Sequence, residues 1–217
     1  YMPSMGMDRL IAWLAQNGAD FHSEEDNSVS TLDTAEALET FEFLRALIWE
    51  YGVAPKSGEI VAGGNRAMFA QEQLAMIEDN MLLVVYEDLI GPKFDWDIAE
   101  LPFNKQRATM VTTDGYSIYR GTKHPDEAFL LAKFLASPEA QQIAYDYCGN
   151  PPASRSLLPY MLEGTVPGSR AEDGRLRNIQ AHINALEYSE PGRLLAEHGA
   201  FLDLFQSAFD VSVQLNK

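Results

Sequence analysis

Carboxylates are the groups in this sequence best placed to do chemistry. Asp8, Glu78, Asp79 and Asp114 each stand where a helix starts or a strand runs out, the positions from which loops present polar groups. Two such carboxyls facing across one cleft at roughly 5 to 9 Å would suit an acid-dependent glycoside hydrolase. The same acids would equally suit a site for a polyol or a cationic solute. The four histidines, His22, His124, His182 and His198, lack metal-ligand spacing such as HExxH. No GxSxG, Walker loop or GxGxxG is present, and Gly63-Gly64-Asn65 is a turn signal. Asp95 and Asp97 alternate about Trp96, which places both on the outward face of one strand in a structural role. Cys148 is the single cysteine; it has no partner for a disulfide, zinc or redox site and reads as a small buried hydrophobe. No catalytic group, cofactor or metal is expected.

The elements that must position these groups are mainly helices. Met7, Leu10, Ile11, Leu14 and Ala15 keep helical spacing up to Gly18. His22 to Val29 is polar and acidic, a surface loop or hairpin tip. Asp33 is the expected cap of a second helix, with Leu38, Phe41, Leu44, Leu47, Ile48 and Tyr51 on one face and Gly52 at its end. A Gly- and Pro-containing loop leads to a short helix around Met68. Leu74 to Glu78 reads as a buried strand, after which Asp79 or Asn80 caps a helix through Leu89 that Gly91-Pro92 stops. A strand from Phe94 closed by Pro102 follows, then a glycine-led strand at Gly115. His124-Pro125 and Ser137-Pro138-Glu139 open two helices, with proline in the tolerated first turn. Residues 154–164, 172–188 and 192–215 read as helical. Trp13, Trp49 and Trp96 fall at packing positions.

Composition limits the function classes. With 217 residues, 46% of them hydrophobic, the chain can fill a core as one large domain or two small lobes. A formal net charge of -16 argues against nucleic acid, whose phosphates demand clustered Lys and Arg, and serves solubility instead. The longest apolar runs, such as MLLVV at 81–85, are far too short to cross a bilayer. No signal peptide is visible, and the opening at Tyr1 reads like the middle of a protein.

The stretch FDWDIAELP at 94–102, followed by TTDGYSIYRGTKHPDEAFLLAKFLASPEAQQ and GNPPASRS, closely resembles the extracellular solute-binding proteins of bacterial ABC importers. The likeness is to the sugar-binding, maltose-binding-protein-like group. NGADF at 17–21, TAEALETFEFLRAL, and the segment from Met68-Phe69 to Ala75-Met76 resemble further family segments, so that about residues 6–160 can be placed. Two departures occur: the family's glycine falls on Glu72, and its D-G-x-W reads Asp79-Asn80-Met81-Leu82, without the tryptophan that often stacks on a sugar.

The resemblance implies an α/β, type II periplasmic-binding-protein-like fold, of which this chain is mainly the helix-rich second lobe plus a short excursion belonging to the first. Residues 1–93 and 138–217 would form the second lobe and 94–137 the hinge strand and excursion; most of the first lobe would lie outside this chain, a fragment of a longer protein. An excursion without the body it packs on would leave a strand edge unpaired and a helix face uncovered. The implied function is capture of a sugar or oligosaccharide between lobes and delivery to the membrane subunits of an ABC importer, outside the cytoplasm. The implied ligand-binding residues are Met7, Asp8, Glu78, Asp79, Asn80, Asp114, Gly115, Tyr116 and Arg155, and no catalysis is implied. Alternatives are a receptor for a polyol or cationic solute, the glycoside hydrolase above, or an interaction module with an exposed apolar helix face.

Overall fold

A computed structural model of the chain describes residues 7–23, 25–26, 29–112, 115–191 and 207–214. Packing divides the chain into two compact units. Unit 1 comprises Tyr1–Asp79, Leu101–Val111 and Ala185–Lys217; unit 2 comprises Asn80–Glu100 and Thr112–Asn184.

Unit 1 is built on α1 (Met7–Gln16) and α2 (Ala35–Trp49). Thr34, not Asp33, caps α2: its backbone is extended and its hydroxyl accepts the Ala37 N–H at 3.3 Å while donating to the Thr31 carbonyl. The inward face runs through Ala37, Thr40, Leu44, Leu47 and Ile48, whereas Leu38 and Tyr51 are exposed, contrary to the sequence expectation. That face meets Leu10, Trp13 and Leu14 of α1, Val213 from a π-helical turn at Asp210–Gln214, and Phe209 just before that turn. Trp49, half-buried, donates its indole N–H to the Val213 carbonyl at 2.9 Å. His22 pairs with Ser30 in an antiparallel bridge at the base of the expected loop, of which residues 24, 27 and 28 lie outside the described residues, and His22 itself is buried. Of the helical stretch expected over 192–215, residues 192–206 and 215 lie outside the described residues.

The sheet content differs from expectation. Among the described residues the strands are β1 (Thr109–Val111) and β2 (Ser189–Pro191), paired in parallel, and neither was readable as a strand. Leu74–Glu78 shortens to a single bridge residue at Ile77, and a side chain, Asn65 Nδ2, takes the Glu78 carbonyl at 3.2 Å. Residues 94–98 form no strand. There the Asp95 and Asp97 carboxylates accept the N–H groups of Trp96 and Ile98, and Arg177 and Asn178 donate to their carbonyls. Residues 115–119 are also outside any strand.

Unit 2 holds α4 (Leu83–Ile90), α5 (Pro125–Leu135), α6 (Pro138–Cys148) and α7 (Leu158–Met161), with most of α8 (Ile179–Glu187); α3 (Gly64–Ala70) belongs to unit 1. Leu82 occupies the cap of α4 without a side-chain bond, so neither Asp79 nor Asn80 caps it. α5 and α6 start at Pro125 and Pro138 as expected, and Ser137 caps α6 by accepting the Ala140 N–H. Gly149 ends α6 in the left-handed region, and an added Cβ would press on Val84. Tyr145 is fully buried on α6, edge-on to Tyr160, and burial pushes its phenol up to about 12. Cys148, two turns past Ala140 and just before Gly149, is exposed rather than buried, because the inward positions of α6 are Ala140 and Tyr145. Among the described residues no helix is long and apolar enough to cross a membrane.

Candidate functional site

In unit 1 the predicted acids Glu78 and Asp79 sit where the segment after α3 runs back toward α1. Glu78 is 4% exposed, and its carboxylate accepts the Trp13 indole N–H at 2.9 Å. Trp13 is fixed by the same inward face of α1 that carries Leu10 and Leu14, so the core itself aims the donor. Asp79 receives the Arg66 guanidinium on both oxygens, Nε on Oδ2 and Nη2 on Oδ1 at 3.0 Å. Its side chain is 9% exposed, against 37% for Arg66. A fork-on-fork pair of this kind is directional and net neutral. It holds the 78–79 backbone in place but offers little to a cation or to proton transfer.

A second charged cluster lies in unit 2 around the segment Asp95-Trp96-Asp97. Arg175 reaches both acids, Nη1 to Asp97 Oδ2 at 2.5 Å and Nη2 to Asp95 Oδ2 at 3.1 Å. Arg177 is 3% exposed; it donates to the Trp96 and Gly168 carbonyls and to Asp95 Oδ1, and its guanidinium lies 3.9 Å from the Trp96 ring centroid. The Arg177 hydrogen bond holds the Asp95 carboxyl below the usual carboxylate range. For Asp97, burial works upward, but hydrogen bonds from the Asn178 and Ile98 N–H groups and from Arg175 outweigh it and leave the carboxyl lowered. These acids are braces, as their alternation in sequence implies.

The other predicted residues are distributed as follows. Met7 and Asp8 form the first turn of α1, and their side chains lie outside the described residues, as does all of Asp114. Asn80, Gly115, Tyr116 and Arg155 belong to unit 2 and are exposed. Arg155 opens a short 3-10 turn, Arg155–Leu157, in which its carbonyl accepts the Leu158 N–H; among the described residues its guanidinium makes no ion pair or hydrogen bond. The structure thus brings Glu78 and Asp79 together within unit 1, with Trp13, Asn65 and Arg66, which sequence reasoning had assigned to packing or a turn or passed over. Those partners lie 13 and 65 residues away, beyond any local pattern. Arg175 and Arg177 were also missed. Their signal was readable: Arg-Leu-Arg at 175–177 alternates with the same period of two as Asp-Trp-Asp at 95–97.

A cavity of about 200 Å³ lined by Glu87, Gly91, Pro92, Arg170, Ala171, Glu172 and Arg177 lies in unit 2. It is smaller than the ~300 Å³ at which small-molecule pockets begin. Arg170 there is spent on the Glu163, Gly164 and Gly174 carbonyls. Among the described residues no group of three or more His, Cys, Asp or Glu could hold a metal ion.

No curated protein matches the chain by sequence. Among solved structures, the ABC substrate-binding protein Lmo0181 from Listeria monocytogenes, in complex with cycloalternan, superposes with a TM-score of 0.78 at 20% identity, over 100% of this chain and 54% of its own. Maltose-bound MalE3 of T. maritima gives 0.72 at 16% identity, over 97% and 53%. The maltose-maltodextrin binding protein of Alicyclobacillus acidocaldarius gives 0.63 at 16%, over 93% and 54%. The chain therefore spans about half the length of these relatives and shares their type II periplasmic-binding-protein fold. The sequence profile of the bacterial extracellular solute-binding proteins matches residues 6–142, more than half of the chain, and the chain belongs to that family.

Proposed function

We propose that this chain is part of the substrate-binding component of an ABC importer and helps to capture a sugar or oligosaccharide. The observation that carries the reading is the fold match over essentially the whole chain to receptors whose structures hold cycloalternan and maltose. The internal pairing of Asp79 with Arg66 adds to it, since a compensated charge favours a neutral hydroxylated solute over a cation. On this reading residues 1–93 and 138–217 belong to the second lobe and 94–137 to the hinge and first-lobe excursion, within a longer receptor. Met7, Asp8, Glu78, Asp79, Asn80, Asp114, Gly115, Tyr116 and Arg155 line the interlobe cleft. Glu78 and Asp79 hold its wall in shape, and the exposed Tyr116 ring and uncommitted Arg155 guanidinium are suited to ligand contact. The receptor works outside the cytoplasm, passes its solute to the importer's membrane subunits and leaves that solute chemically unchanged.

Titration calorimetry of the complete gene product against maltotetraose, cycloalternan, sorbitol and spermidine tests this. Heat of binding with an α-glucan oligosaccharide, weakened roughly tenfold to a hundredfold by Arg155→Ala, is expected. Binding of sorbitol or spermidine alone would overturn the sugar reading. Release of glucose from maltotetraose would overturn the non-catalytic one.

A further inference from the structure

Arg66 is held over Asp79 by a series of local bonds, all within unit 1. Gly63 leads into α3 at φ 93, where an added Cβ would press on the Ala67 Cβ at 2.9 Å, and this tight entry sets Asn65 and Arg66 in the first turn of the helix. The Asn65 side chain then bridges: its Oδ1 accepts the Arg66 N–H at 2.9 Å, and its Nδ2 donates to the Glu78 carbonyl at 3.2 Å. Arg66 is thereby tied through its neighbour to the same segment that its guanidinium grips. The fork takes both oxygens of Asp79, whose side chain is 9% exposed, against 37% for Arg66. Of the pair, the carboxylate is covered and the guanidinium is the wetter member.

Electrostatics give this pair a consequence for ligands. The chain carries a formal net charge of -16, so its field gathers cations of every kind from solution. A carboxylate without a fork across it would hold an amine more firmly than a sugar hydroxyl, because a bond between two ionised groups is roughly twice as strong as one between neutral groups. The long-range field cannot reject the amine; only a positive group at the site can. Arg66 places one on both oxygens of Asp79. Arginine suits that position, since it stays protonated at every physiological pH and its planar fork matches a carboxylate.

We infer that Arg66 is a specificity-determining residue which, acting through Asp79, keeps amines out of the solute site. The inference rests on the placement of Asp79 in the binding cleft under the function proposed above. A neutral side chain at 66 would leave a covered carboxylate beside the space that a guanidinium had filled, and a protonated primary amine has the charge and the size to enter it.

Titration calorimetry of the complete gene product with spermidine and with maltotetraose tests this, on wild type, Arg66→Met, Arg66→Lys, and Arg66→Met combined with Asp79→Asn. Spermidine affinity should rise roughly tenfold or more in Arg66→Met, stay within about threefold of wild type in Arg66→Lys, and return to the wild-type level in the double variant. The lysine variant separates specificity from structure, because an ammonium keeps the positive charge but not the planar fork. A purely structural Arg66 would lower the urea midpoint in the lysine and methionine variants alike and admit spermidine to neither, which would overturn the proposal. A spermidine gain that survives in the double variant would also overturn it, since the amine would then sit elsewhere than on Asp79. Arg66→Gln carries the same expectation as Arg66→Met and replaces it if tryptophan fluorescence shows the methionine variant unfolded. Maltotetraose is read independently: a spermidine gain in a receptor that binds no maltotetraose upholds this role of Arg66 while refuting the sugar reading, and maltotetraose binding without the gain does the reverse.

Discussion

Replacing Glu72 with glycine should stabilise the protein. α3 ends in a two-bond cap, in which the Gln73 N–H donates to the Met68 carbonyl at 2.9 Å and the Glu72 N–H to the Phe69 carbonyl at 2.9 Å. This arrangement requires the residue after the C-cap to adopt the left-handed conformation, and Glu72 sits there at φ 61, the only non-glycine with positive φ among the described residues. A side chain in that region costs about 1 to 2 kcal/mol. Glycine removes the cost but raises the entropy of the unfolded chain, taking back about 0.4 to 1 kcal/mol. The net gain is about 0.5 to 1 kcal/mol, or a melting shift of roughly 1–4 °C in a chain of this size. The Glu72 side chain is exposed, so little packing is lost. Urea unfolding followed by tryptophan fluorescence should rank Glu72→Gly above wild type and wild type level with Glu72→Ala, which keeps the strain while removing the same charge. Equal midpoints for the glycine and alanine variants would refute the reasoning.

Arg177→Ala should cost about 3 kcal/mol in the unfolding of unit 2, because it strips the donors from the Trp96 and Gly168 carbonyls, and Arg177→Lys should not restore it, since an ammonium cannot reproduce the planar fork. Gly168→Ala should unfold at markedly lower urea, as a Cβ there would run into the Leu83 backbone carbonyl at φ 79. Asp95 and Asp97 have folded carboxyls below their ordinary range; the stability they contribute is fully present above about pH 4 and is lost as pH falls below it, so urea midpoints of Asp97→Asn should depend less on pH in that window. Burial holds the half-buried His182 below the ordinary imidazole value, so its contribution is present above about pH 6.5 and lost as pH falls through the lower folded value, and His182→Gln should flatten the stability profile between about pH 7 and 5.

The helices were legible because their signals are local. A proline at the first turn, a Ser137 hydroxyl three residues ahead of the N–H it accepts, and a Gly149 that tolerates the left-handed turn act within a few residues of each helix end. The misplaced cap at Asp33 shows the limit of that reach: Asp33 and Thr34 are equally plausible by type, and the choice fell to Thr34 through a bond to Thr31. Strands failed for the opposite reason. β1 and β2 are three residues each and pair across a separation of 80 residues, while the runs at 74–78 and 94–98 that look like strands have the Glu78, Trp96 and Ile98 carbonyls taken by the side chains of Asn65, Arg177 and Asn178. The candidate site was half legible. The acids at 78 and 79 could be picked out as polar residues at a chain turning point, but their partners Trp13 and Arg66 are set by tertiary packing.

The mismatches between pattern and packing are therefore informative in their own right. A polar substitution for an apolar residue would have been tolerated on a solvent-facing α5, yet Phe129, Leu130, Leu131 and Phe134 remain apolar and exposed, and the glycine-led stretch at 115–119 has strand composition without a strand partner among the described residues. Local rules describe what a segment is built to contact, whether or not the contact lies within the chain in hand. Where those rules are met, as along the inward face of α2, they account for the core of unit 1. Where the same rules go unmet over one stretch, as from 116 to 134, apolar composition runs ahead of the packing found among the described residues, and that stretch is where local pattern and burial part company.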